Sequence, residues 1–189
     1  MRLAVNLNKL ILAKRGRASV VDGIEIFGGN GAIETFSVLP RLLRDAIVYE
    51  NWEGTHNTLL MQALRDMHKY RVHEPFLAQL EAWVAGGDAG VEATITATIA
   101  DVRAALDRAL SAPPAHASLH MRPLADTMSY LMHAAARAHE LSCWIAEGSL
   151  SDEALAVERA SLHHFVHARM LDQRDHASAA YLERLGLLL

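Results

Sequence analysis

Glu53 is the side chain of this 189-residue chain best placed by its neighbours to move a proton. A carboxylate works as a base near neutral pH only when it is partly desolvated. Glu53 stands between Trp52, broad enough to wall an apolar slot, and Gly54, which lets backbone approach a ligand closely. Nothing else in the chain combines those properties. Upstream, Gly28, Gly29 and Gly31 form a glycine cluster, and small residues beside a helix terminus suit a phosphate because backbone N–H groups become reachable. The plain structural reading stands beside the chemical one: the glycines as a helix C-cap, and Glu53 as an acid in a helix's first turn.

Two other residue types bear on chemistry. There are eleven histidines, and His163 and His167 make an i, i+4 pair with His164 beside them. A metal site needs a third or fourth ligand. The sole Glu-x-x-His, Glu53 to His56, is half of what a di-iron bundle wants, so no metal site is expected. The single cysteine, Cys143, excludes an internal disulfide and fits a reducing cytoplasm; flanked by Leu141, Trp144 and Ile145, it reads as a core thiol.

The stretch from Glu25 to Asn57, EIFGGNGAIETFSVLPRLLRDAIVYENWEGTHN, resembles the C-terminal helical domain of the acyl-CoA dehydrogenases. That family shows a double-glycine loop, then a Pro and an Arg-Asp pair (here Pro40 and Arg44-Asp45), then aromatic-Glu-Gly-Thr (here Trp52 to Thr55). The resemblance implies an FAD-dependent oxidation of acyl-CoA thioesters, in which Glu53 takes the α-proton while the flavin accepts the β-hydride. It puts Trp52 and Gly54 beside the substrate and Thr55 and Asn57 against the flavin cofactor. Gly28, Gly29 and Glu25, where the family commonly has Gln, fall near the ADP part of an FAD bound mainly by a neighbouring subunit. It thereby implies a homodimer or larger homo-oligomer. Ala32 replaces the usual aromatic, one extra residue precedes Arg44-Asp45, and Glu25 adds negative charge where a pyrophosphate would approach. Trp52 and Asn57 lean towards the adaptive-response, alkylation-damage branch, whose members carry an extra helical segment and have been linked to DNA binding. The family's FAD-binding β-domain lies earlier in sequence than anything here. The chain by itself is therefore expected to be inactive and to bind no stoichiometric FAD.

These residues must be held by helices. Apolar residues make up 51 %, with aromatic residues at only 6 %, which favours helix over sheet. The pattern predicts a helix over 3–27, apolar on more than one side, a loop at 28–31, and a short helix from Pro40 through Asp45. A helix over 56–71 should bury Leu59, Leu60, Ala63, Leu64 and Met67, and another follows over 75–84. The polar, glycine-rich 85–90 marks the domain boundary. Beyond it come helices over 91–110, 119–147 closed by Gly148, 152–171 capped by Ser151, and 176–187. Short connections imply antiparallel neighbours.

The expected architecture is all-α. Residues 1–84 form part of an acyl-CoA dehydrogenase C-terminal helical domain, and residues 85–189 an appended antiparallel bundle. No apolar run approaches the ~18 residues of a membrane span, and a cytoplasmic location is expected. Residues 1–84 carry ten Lys/Arg against nine Asp/Glu, or +1, and residues 85–189 eight against thirteen, or −5. That balance argues against a nucleic-acid surface, with the cationic residues 1–17 the sole contact the chain would offer such a partner. The alternative to an enzyme part is a non-catalytic helical interaction module of the same descent.

Overall fold

The computed structural model describes residues 2–87 and 89–170, together with residues 183, 186 and 187. The described residues contain helices and no strands. They fall into two compact units, Met1–Tyr70 and Arg71–Leu189.

The first unit is built on α1 (Arg2–Ile26), α2 (Leu39–Asn51) and α3 (His56–Tyr70). The apolar positions of α1 bury only over its first half, through Leu3, Leu7, Leu10 and Ile11. This stripe packs on α2 and α3, while Val5 and Leu12, on other sides of the same helix, stay exposed. The buried face of α3 holds all five residues expected from its periodicity, and Asp66 as well. Arg2 (3.4 Å) and Arg65 (3.1 Å) pair with that buried carboxylate, as a charge out of water must be.

A 3-10 turn over Gly28–Ala32 ends α1. Gly28 takes φ 58°, and a Cβ at Gly31 would lie 2.4 Å from the Ile24 carbonyl oxygen. The chain can therefore fold back against its own helix only with glycine at position 31. It returns as α2, antiparallel to α1: a Cβ on Gly23 would lie 3.6 Å from the Leu39 side chain, and the Lys9 ammonium donates to the Glu50 carbonyl (2.9 Å). Helix α2 runs six residues beyond the expected stop at Asp45. Its contacts along α1 outweigh the weak helix preference of Ile47, Val48 and Tyr49.

The second unit comprises α4 (His73–Val84), α5 (Glu92–Ser111), α6 (Pro114–Glu147) and α7 (Asp152–Arg169). Helix α6 packs on the other three, and a two-residue connection makes α5 and α6 antiparallel, as expected. It starts five residues earlier than the pattern predicted. Gly148 closes α6 in the left-handed region (φ 62°), and the Ser151 hydroxyl accepts the Ala154 amide at the start of α7. The segment expected over 176–187 lies, apart from residues 183, 186 and 187, outside the described residues.

The expected boundary falls at 84/85, at the start of the glycine-rich 85–90, whereas the compact units divide at Tyr70/Arg71. Ala89 and Val91 are buried, and the Ala89 and Gly90 amides donate to the Glu92 carboxylate (2.6 and 2.9 Å). Gly86 and Gly90 adopt φ 70° and 85°. These glycines meet positive backbone angles, and a glycine kept for its backbone angle looks in sequence the same as one in a flexible tether. Helix α4 packs on α5 and α6 and so falls with the second unit.

Candidate functional site

The C-terminus of α2 presents Trp52 and Glu53 to a cavity of about 440 Å³ between α1 and α2. Small residues open it: Ala13 and Gly16 on α1 face Ala46 on α2, where larger side chains would fill the groove. Leu12, Tyr49 and Trp52 give apolar walls, with Lys9 and Arg17 at the rim. Tyr49 and Trp52 stand as a tilted aromatic pair with ring centroids 6.3 Å apart. Trp52 is 63 % exposed, so its apolar face is available to a further molecule.

Glu53 itself has φ 57°, in the left-handed region, and Gly54 follows at φ 116°. The left-handed conformation costs a non-glycine residue about 1–2 kcal/mol. Lys9 offsets it. Its Nζ donates to the Glu50 carbonyl (2.9 Å) and the Gly54 carbonyl (2.8 Å), on either side of Glu53. A hydrogen bond from a charged donor contributes roughly 1.5–3 kcal/mol. Two of them exceed the cost of the bend, and the ammonium also lies where the α2 dipole is negative. Arg17 holds Glu50 from the same helix (2.9 Å). Lys9 and Arg17 carry no motif, so this support from α1 is not legible in sequence.

The other expected site residues divide into two groups. Thr55 and Asn57 lie at the start of α3, close along the chain to Glu53. The Thr55 hydroxyl caps that helix by accepting the Thr58 amide (3.5 Å), and Asn57 is exposed. Glu25, Gly28 and Gly29 are exposed at the opposite end of α2, beyond its N-terminus. Thirteen residues of helix, roughly 20 Å at 1.5 Å per residue, separate the ends. One ligand-sized cavity therefore does not hold both groups. No atom lies within 4 Å of a Cβ placed on Gly28 or Gly29, so another molecule can approach the backbone there. Of the Arg-Asp pair, Arg44 forms an ion pair with Glu34, and both residues are exposed.

The histidines do not gather into a metal centre. His163 and His167 stack with ring centroids 6.3 Å apart. Among the described residues no group of three or more His, Cys, Asp or Glu is placed to hold an ion. Cys143 is not a core thiol. It is half-buried, with its Sγ 3.9 Å from His139 Nε2, and Leu141 is the buried residue of that turn.

The model of the acyl-CoA dehydrogenase C-terminal domain matches residues 1–68, ending two residues before the first compact unit does. Residues 1–68 are thus similar to the C-terminal domain of the acyl-CoA dehydrogenases. "Acyl-CoA dehydrogenase family member 11" of Caenorhabditis elegans is 46 % identical over 65 residues, covering 34 % of this chain and 10 % of that protein. "Putative acyl-CoA dehydrogenase AidB" of Escherichia coli (strain K12) is 34 % identical over 87 residues, covering 46 % of this chain and 16 % of that one. The chain thus spans a tenth to a sixth of the length of these relatives. No solved structure matches it. The matched segment contains Glu53, Trp52 and all the residues that line the cavity. No described helix is long and apolar enough to cross a membrane.

Proposed function

We propose that this chain supplies the C-terminal helical part of an acyl-CoA dehydrogenase-type flavoenzyme, with Glu53 as the base that removes the substrate α-proton. The observation that carries the reading is the position of Glu53. It lies within the family-matched segment, on a clamped left-handed turn at the mouth of an apolar cavity walled by Trp52 and Tyr49. Trp52 and Gly54 flank the thioester end of the acyl chain, and bound substrate would exclude water from Glu53, which is exposed in this structure.

FAD is the cofactor this reading requires; when bound it supplies the acceptor for the β-hydride. Gly28 and Gly29 fit it, since their open surroundings admit a pyrophosphate to the backbone. The exposed Glu25 carboxylate opposes that charge and weakens the contact. Thr55 and Asn57 fall to the cofactor at the Glu53 end. The ~20 Å between the two groups supports an arrangement in which the glycine turn serves the cofactor of a neighbouring copy. The enzyme is then a homo-oligomer acting in the cytoplasm.

A second reading is favoured by one observation. Ile47, Val48 and Tyr49 on α2 and Trp52 just after it are all exposed, which suits a helical interaction module that no longer handles flavin. Nucleic acid is a poor partner for it. In the cationic N-terminal stretch, Arg2 pairs with Asp66, Arg17 with Glu50, and Lys9 with backbone.

The test is dye reduction by acyl-CoA, with the tagged chain recovered from its own cells together with whatever it assembles with. Activity that falls about 10²–10⁴-fold in Glu53→Gln is the expected result. A flavin-loaded assembly whose turnover ignores that substitution overturns the assignment. A colourless assembly without turnover favours the interaction module.

A further inference from the structure

Three backbone features meet at the base of the Glu53 turn. Helix α2 ends without a glycine after it, so its last carbonyls lack the usual left-handed glycine cap. The following residues bend sharply, at φ 57° for Glu53 and 116° for Gly54. The carbonyls of Glu50 and Gly54, on either side of that bend, converge on the Lys9 ammonium at 2.9 and 2.8 Å. Lys9 is half-buried on α1, a helix whose nearby Leu7, Leu10 and Ile11 are fixed in the core. The point of attachment is therefore rigid.

We propose that Lys9 is the positioning residue of the site: it ties α2 to the start of α3 and so fixes where the Glu53 carboxylate enters the cavity. The proposal rests on Glu53 as the base, for only then does its placement matter to a reaction. A proton must pass between atoms about 2.6–3.2 Å apart, a tolerance that a freely moving turn does not meet. An ammonium suits this clamp because its donors project from one point in three directions, and two of them serve the two carbonyls. The planar fork of an arginine diverges and reaches both less well.

The test uses the full chain and needs no turnover. In the wild type, NMR order parameters for the Glu53 and Gly54 amides should be near the ~0.85 of rigid backbone. In Lys9→Met they should fall below ~0.6, while α1 and α3 keep theirs. Lys9→Arg should restore part of the loss. Should Lys9→Met not fold, Lys9→Gln, which keeps N–H donors without the charge or the reach, is expected to loosen the same two residues. An unchanged turn in Lys9→Met, or loosening spread evenly through α1 and α3, overturns the proposal. Glu53→Gln separates it from the reading it rests on. That variant should keep the turn rigid whether or not Glu53 is the base, and only its dye-reduction assay bears on catalysis.

Discussion

At the scale of single residues, His73 makes the clearest prediction. It is 6 % exposed at the start of α4, and its Nδ1 has no hydrogen-bond partner. Burial pushes its imidazole below the ordinary value, with Arg71 and Arg103 acting the same way and Glu74 and Asp107 opposing. Burial also lowers His133 on α6. A depressed histidine is neutral in the fold and takes up its proton more readily when unfolded. Stability from these two groups is thus fully present above about pH 6.5 and is lost as pH falls towards their lowered folded values. Urea midpoints should fall between pH 7 and pH 5, more gently in His73→Leu, which also removes the unpaired buried nitrogen. Equal slopes in the two proteins would contradict this. Glu53 illustrates what single residues leave legible. Its importance could be read from Trp52 and Gly54 beside it, but its left-handed backbone and its dependence on a lysine 44 positions earlier are products of tertiary contact.

At the scale of elements, the turn from α1 into α2 depends on one atom that is missing. Gly31→Ala would drive a Cβ to 2.4 Å from the Ile24 carbonyl, against backbone that cannot rotate away. A loss of roughly 1–3 kcal/mol is expected from such overpacking. Gly29→Ala, in open space, should cost much less. Chemical denaturation of the two variants is the measurement, and equal losses would refute the distinction. Helix identities were legible because periodicity shows in sequence: the five-residue face of α3 and the Ser151 cap follow from spacing alone. The extension of α2 past Asp45 was not, since the exposed Ile47, Val48 and Tyr49 show no helical periodicity to read.

At the scale of the molecule, the first unit leaves large apolar side chains uncovered on several elements. Val5 and Leu12 on α1, Phe27 and Phe36 after it, Ile47 and Val48 on α2 and Trp52 just beyond it are all more than 40 % exposed. At ~25 cal/mol per Å², pairing several hundred Å² of such surface offsets much of the cost of association. A two-fold homodimer through residues 1–52 is expected, seen by light scattering as twice 20.7 kDa at micromolar concentration. A single species at 20.7 kDa would rule it out. All-α class and an antiparallel second bundle were readable from composition and connection length. The division between units was not, because glycine content reports backbone angle and not looseness.

The place where the compact units divide has a consequence for how such a chain can be assembled in evolution. A recombination breakpoint between codons 84 and 85 would separate the buried Leu77, Leu80 and Val84 of α4 from the α5 and α6 surfaces on which that helix packs. Both products would begin life with an open interior. A breakpoint between codons 70 and 71 leaves each hydrophobic interior whole, two residues past the end of the family match. On packing alone, an exchange of the second unit between genes would disturb less at Tyr70 than at Val84, although the latter lies beside the run of glycines.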